Sequence, residues 1–266
     1  MTIFGFFLQN RLKGMIKRKN FNIGFIVLLL SPCFVASAQK SEPHLMLFLL
    51  IGQSNMAGRG ELAKDPTPAD PNIFMLSKDC EWVPARHPIH FDKPVAGVGL
   101  ALEFAHQIKK EFPSSRVGLI PCAIGGSSLD EWQPGTVNYA EAVRRTREAL
   151  KNGRLAGILW HQGESDVEAH KRTTYFKRFS SMIMQLRKDL KAPLVPLVIG
   201  ELGDFRKEHV EFNRQIPSIA GSVPLCLFAH SDGLKDKGDT LHFDAPSLEK
   251  LGQRYAEAYL KLIRHP

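Results

Sequence analysis

The stretch "LFLLIGQSNMAGRG", residues 47–60, decides how the rest of the chain is read. Five apolar residues run without a polar break into Gly52-Gln53-Ser54-Asn55, and the chain then stays small. An unbroken apolar run of this length is what a strand buried on both faces requires. A serine between glycines at its end is either a turn or a nucleophile displayed at the carboxyl edge of a sheet.

Four more runs have the character of the first: "RVGLIPCAI" (116–124), "LAGILWHQ" (155–162), "PLVPLVIGE" (193–201) and "VPLCLFAHS" (223–231). Between and after them, 99–111, 138–152, 171–190, 208–220 and 246–263 carry helical spacing. The last places Leu248, Leu251, Tyr255, Tyr259 and Leu262 on one face, with Asp244 and Pro246 as its start signals. This alternation predicts an α/β fold: a three-layer α/β/α domain with a parallel five-stranded sheet. Right-handed crossovers put every strand's carboxyl end on one edge, where ligands of open α/β sheets bind. Residues 60–98, rich in proline and polar groups, predict a long surface excursion directed toward that edge.

The first 38 residues are different. Arg11, Lys13, Lys17, Arg18 and Lys19 precede the apolar "FNIGFIVLLL" and then "ASA" (36–38), with no acidic residue. This is the layout of a secretory signal peptide cleaved near Ala38. The apolar run falls short of the roughly 20 residues of a transmembrane helix. The expectation is a signal peptide at 1–38, one domain at 39–266, and a secreted or periplasmic product without a stable membrane span. Five of the charges behind the formal +8 lie in the leader, leaving +3. No basic stripe argues for a nucleic-acid partner. Cys80, Cys122 and Cys226 remain, an odd number that excludes a fully paired disulfide scaffold. His87 and His90 fall short of a metal site, and no metal or cofactor is expected.

Four polar clusters follow the strands: "GQSN" with Ser54, "AIGGSSLDEW" with Gly125 and Gly126, "WHQGESD" with Gln162 and Glu164, and "DGLKDKGDTLHFD" with Asp239 and His242. Serine acyl transfer needs a nucleophile, a base, an acid that orients the base, and donors for an oxyanion. Ser54, His242 and Asp239 can fill the first three roles. Asp239 lies three residues before His242, close enough in a turn to fix the imidazole tautomer. The Ser54 N–H, a Gly126 N–H and the Gln162 amide can supply the donors. Singly, each cluster also has a structural reading: a helix cap at Ser54, a tight turn at Gly125-Gly126, solvated loop residues at Gln162 and Glu164. Trp132 and Trp160 fit a core or a sugar platform.

Taken together, "GQSNMAGRG", "GGSSLDEW", "HQGESD" and "DTLHFD" resemble the four blocks of the SGNH-hydrolase superfamily, in its branch of carbohydrate acetylesterases that includes acetylxylan esterases and the sialate O-acetylesterase domain. The resemblance covers essentially the whole chain after the leader, with the blocks in order. It implies a flavodoxin-like SGNH fold and a serine esterase removing O-acetyl groups from carbohydrate, acetylxylan first and O-acetyl sialate second. It maps the nucleophile to Ser54, the other triad members to Asp239 and His242, and the oxyanion hole to Ser54, Gly126 (or Gly125, one register away) and Gln162. Glu164 falls in the third block as a supporting residue. A carbohydrate-binding protein that keeps the fold without turnover is the alternative from another class.

Overall fold

The protein, seen in a computed structural model, is described over residues 45–65 and 68–264; the expected leader lies outside the described residues. The strands are β1 (Leu45–Gly52), β2 (Ile73–Leu76), β3 (Trp82–Pro84), β4 (Val117–Pro121), β5 (Gly153–His161), β6 (Leu197–Gly200) and β7 (Cys226–Ala229). The helices are α1 (Ser54–Ala57), α2 (Leu100–Glu111), α3 (Val137–Ala149), α4 (Ala169–Asp189), α5 (Lys207–Asn213), α6 (Ile216–Ser222) and α7 (Ala245–Arg264). Short 3-10 turns cover Leu129–Trp132 and Glu164–Asp166. The strands form one sheet in the order β3-β2-β4-β1-β5-β6-β7, parallel except for β3, which pairs antiparallel with β2.

Strand β1 is buried along its whole length, and its side chains alternate between two cores. Leu45, Leu47, Leu49 and Ile51 join a layer built from α3, α4 and α6. Met46, Phe48 and Leu50 join a layer built from α2 and α7. A period of two on a strand covered on both faces leaves no polar side to expose, which is why the run at 45–51 is continuously apolar. Trp132 and Trp160 pack edge to face in the first layer, 1 % and 2 % exposed. They are core residues and offer no sugar platform.

Two expectations change. The sheet has seven strands where five were expected: β2 and β3 arise within the 60–98 excursion. They are only four and three residues long, too short to carry a readable period. The expected helix over 208–220 is two, α5 and α6, broken at Arg214–Gln215. Pro217, in the first turn of α6, lacks the N–H that would continue α5 and suits a helix start. Helix α7 begins where Asp244 and Pro246 predicted, and Asp244 Oδ1 accepts the Ser247 N–H at 2.8 Å. Cys122 and Cys226 are buried, and burial pushes both thiols up to about 12, so they act as small hydrophobes.

β4 and β5 flank β1 on opposite sides, so the strand order reverses around β1. That reversal opens a crevice at the carboxyl end of β1. Ser54 stands there. No helix among the described residues is long and apolar enough to cross a membrane.

Candidate active site

β1 ends at Gly52 in a backbone with φ of +132°, beside β5; a Cβ there would lie 2.1 Å from the His161 carbonyl oxygen. Only glycine fits this exit. The Gln53 N–H then donates to the same oxygen at 2.9 Å, and the chain turns sharply into α1. Ser54 Oγ comes to lie 3.0 Å from His242 Nε2, and His242 Nδ1 lies 2.7 Å from Asp239 Oδ2. The other Asp239 oxygen accepts the backbone N–H groups of Leu241 (3.0 Å) and His242 (2.8 Å). Burial alone would raise the Asp239 carboxyl. The hydrogen bonds from His242 and Leu241 outweigh it and hold the group down to about 2. An ionised Asp239 fixes the proton on Nδ1 and leaves Nε2 as the acceptor facing Ser54.

Of the two glycines in the second block, Gly125 donates its N–H to Asp92 Oδ2 at 2.8 Å. Asp92 is locked in a buried ion pair with Arg59 at 2.6 Å. The Gly126 N–H has no acceptor among the described residues, and Gly126 sits at φ of +84°, beside the same pocket as Ser54. The geometry therefore favours Gly126 over Gly125 as a donor. Asp92 belongs to the 60–98 excursion, and Lys93 and Val95 beside it also line the pocket.

Gln162 departs from expectation. Its Nε2 donates to Asp166 Oδ2 at 2.6 Å, and to Gln53 Oε1 and Ser127 O, both at 3.2 Å. Its Oε1 accepts the Tyr175 hydroxyl at 2.9 Å. The residue is buried and does not line the pocket. With both amide hydrogens committed inward, Gln162 has none to offer an oxyanion, and this geometry does not favour it as the donor expected from the sequence. The amide that does line the pocket is that of Gln53. Its Oε1 accepts from the Ser165 backbone N–H at 3.3 Å as well as from Gln162. A backbone N–H can only donate, so the atom it meets is oxygen, and the Gln53 –NH2 is the end without a protein acceptor among the described residues. Gln53 was within sight in "GQSN"; what the sequence hides is which of two glutamines is spent on the interior.

Behind Ser54 lies a second polar group. Asn55 donates to Glu164 Oε1 at 2.6 Å and to the Leu241 carbonyl at 3.2 Å, and accepts the Phe243 N–H at 3.2 Å. Glu164 Oε1 is 3.8 Å from His161 Nε2, with both side chains buried. Burial is the main cause raising the Glu164 carboxyl to about 7. Burial, reinforced by His209, pushes the His161 imidazole down to about 3.

The pocket over Ser54 has a volume of about 480 Å³, with Lys93, Arg206 and Lys237 exposed around its mouth. It shares Arg59, Val95 and Lys237 with an adjoining groove of about 840 Å³, which Glu61, Leu62 and Pro246 continue.

A doubly wound, mostly parallel sheet with this crevice at its switch point is here the fold of a carbohydrate esterase. The model of the carbohydrate esterase, sialic acid-specific acetylesterase family matches residues 44–261, and the chain belongs to that family. It is 35 % identical over 248 residues to the probable carbohydrate esterase At4g34215 of Arabidopsis thaliana, covering 84 % of this chain and 93 % of the plant protein. The crystal structure of that Arabidopsis protein superposes with a TM-score of 0.75 at 32 % identity, covering 82 % of this chain and 99 % of the other. NanS shares the fold at a TM-score of 0.71 and 20 % identity, over 85 % of this chain and 99 % of its own.

Proposed function

We propose that the protein is a carbohydrate O-acetylesterase working through an acetyl-serine intermediate, with Ser54, His242 and Asp239 as its triad. The observation that carries this reading is the unbroken chain Ser54 Oγ–His242 Nε2 (3.0 Å) and His242 Nδ1–Asp239 Oδ2 (2.7 Å) at the end of β1. Ser54 Oγ attacks the acetyl carbonyl carbon while His242 Nε2 takes its proton. The carbonyl oxygen becomes an oxyanion, received by the N–H groups of Ser54 and Gly126 and the Gln53 –NH2. Collapse breaks the ester bond, and His242 returns the proton to the departing sugar oxygen. Water then repeats the cycle on the acetyl-serine: His242 takes its proton, acetate leaves and Ser54 is restored. The residues at 1–38 serve as the export signal.

For the substrate, Lys93, Arg206 and Lys237 around the mouth favour an acetylated sugar that carries a carboxylate, a sialate or a uronate, over neutral acetylxylan. The family's description points the same way. Acetylxylan, the first choice on sequence, becomes the second reading, kept because the adjoining groove, with exposed Leu62 and Val95, suits further sugar rings of a polymer. The test measures acetate released from acetylated sialic acid, pectin, xylan and mannan. Acidic substrates should show the higher kcat/KM, with a preference that fades as salt rises. Ser54→Ala should remain folded and lose turnover by a factor on the order of 10⁶. Near-normal kcat in that variant would falsify the mechanism.

A further inference from the structure

Two buried groups behind Ser54 take no part in the steps above, Glu164 and His161. Their hydrogen inventory can be closed atom by atom. The Tyr255 hydroxyl donates its only hydrogen to the Trp160 carbonyl at 2.7 Å. Its contact with His161 Nδ1 at 3.0 Å is therefore one in which the imidazole donates. The hydrogen of neutral His161 is on Nδ1, and Nε2 carries a lone pair. That lone pair faces Glu164 and has no partner, and neither does Glu164 Oε2. A carboxylate here would set negative oxygen against a lone pair in a site closed to water, at a heavy desolvation cost. A carboxylic acid avoids that cost, although at 3.8 Å the two groups are not hydrogen-bonded.

The surroundings offset a charge only in part: burial opposes it, and the Asn55 amide and the backbone N–H groups of Glu164 and Gly163, which favour the ion, do not outweigh that burial. His161 comes from β5, Tyr175 from α4, Tyr255 from α7, and Asp166 from Glu164's own turn, where its charge acts against ionisation. His209 of α5 bears on His161. Lys93, Arg206 and Lys237 share the pocket wall but stand exposed, Asp239 is paired with His242, and Lys237 lies 3.8 Å from the same Asp239 oxygen. No lysine or arginine forms an ion pair with Glu164 among the described residues.

We propose that Glu164 is a positioning residue that works as an un-ionised acid. It anchors Asn55, and through Asn55 the backbone on both sides of His242, while keeping negative charge away from the site where the oxyanion forms. The geometry is direct: Asn55 holds Leu241 O and Phe243 N, the two neighbours of His242, and Glu164 holds Asn55. Burial, which raises the carboxyl to about 7, keeps the acid form dominant below neutral pH. Above that, ionisation would place a carboxylate behind Ser54, opposing the developing oxyanion and lowering kcat rather than raising KM. The inference rests on Ser54 and His242 as the reacting pair.

The test compares Glu164→Gln and Glu164→Ala with the unaltered protein, reading kcat and KM on a chromogenic acetyl ester from pH 5 to 9. A glutamine can offer its carbonyl to Asn55 and carries no charge at any pH, reproducing the neutral acid. Glu164→Gln should therefore keep kcat within about twofold below pH 7. Above pH 7 it should exceed the unaltered protein several-fold, having lost the alkaline fall. Glu164→Ala should lose kcat at every pH with KM little changed; if that variant does not fold, Glu164→Gln alone decides. A Glu164→Gln protein as inactive as one lacking the triad acid, or one that keeps the alkaline fall, overturns the proposal. Failure of the esterase reading shows separately, as activity retained in Ser54→Ala.

Discussion

Asp239–His242 and His161–Glu164 are both carboxylate–imidazole pairs three residues apart, and consecutive residues, Ser54 and Asn55, each touch one of them. In the first, the carboxylate is 38 % exposed, meets its imidazole at 2.7 Å and is held down to about 2. In the second, the carboxyl is 2 % exposed, stands 3.8 Å from its imidazole and is raised to about 7. The same two residue types at the same spacing give an ion on one side of the serine and a neutral acid on the other. Both carboxyls have hydrogen-bond donors, so the depth of burial makes the difference, and it cannot be read from the spacing. Hydrogen bonds to the charged form stabilise an anion; dry burial removes it.

The contrast can be broken at its charged end first. Asp239→Asn should reduce kcat by a factor on the order of 10⁴, because an amide no longer fixes the tautomer of His242. Glu164→Gln, the same chemical change on the buried pair, should cost far less. The reverse order, measured on one acetyl ester, would mean that the wrong pair has been given the triad role. Between these extremes lie the glutamines. Gln53→Ala should cost about 10²–10³ in kcat with KM nearly unchanged, as loss of one preorganised donor does. Gln162→Ala should act more weakly, by leaving the Gln53 amide free to turn. Equal losses in both constants would make Gln53 a substrate-binding group instead. The smallest effect is on stability. A carboxyl raised in the folded state contributes most below its unfolded value near 4.5, and that contribution is lost as pH rises to about 7. The melting temperature of Glu164→Gln relative to the unaltered protein should therefore climb across this window and level off above it. The ceiling is about 3 kcal/mol. A flat difference would mean that Glu164 is already charged throughout.

The central strands were legible because burial on both faces writes continuous apolar runs, as in 45–51, and α7 was legible because one apolar stripe repeats over its length. β2 and β3 were not. Their pairing with β4 and with each other is a long-range fact, and three or four residues carry no period of their own. The positions of Ser54, His242 and Asp239 follow from block order and the edge rule for parallel sheets. Which amide faces the pocket does not: Gln53 and Gln162 are chemically identical, and only Asp166 and Tyr175, which claim Gln162, decide between them. Asp92 was equally hidden, since its partners Arg59 and Gly125 lie 33 residues away on either side.

The excursion that carries Asp92 is tied at its neck, where Gly60 and Val98 exchange backbone hydrogen bonds at 2.9 and 3.0 Å. Closing a loop costs little more when the loop grows, about 0.6 kcal/mol for each doubling. Evolution can thus lengthen, shorten or rewrite the stretches around Glu61, Leu62 and Val95 with little penalty, provided that the neck, the strand on β4 and the Arg59–Asp92 lock are inherited together. On the proposed function, new sugar preferences can then be acquired by drift in one wall of the groove, while Ser54, His242 and Asp239, carried elsewhere on the sheet edge, are passed on unchanged.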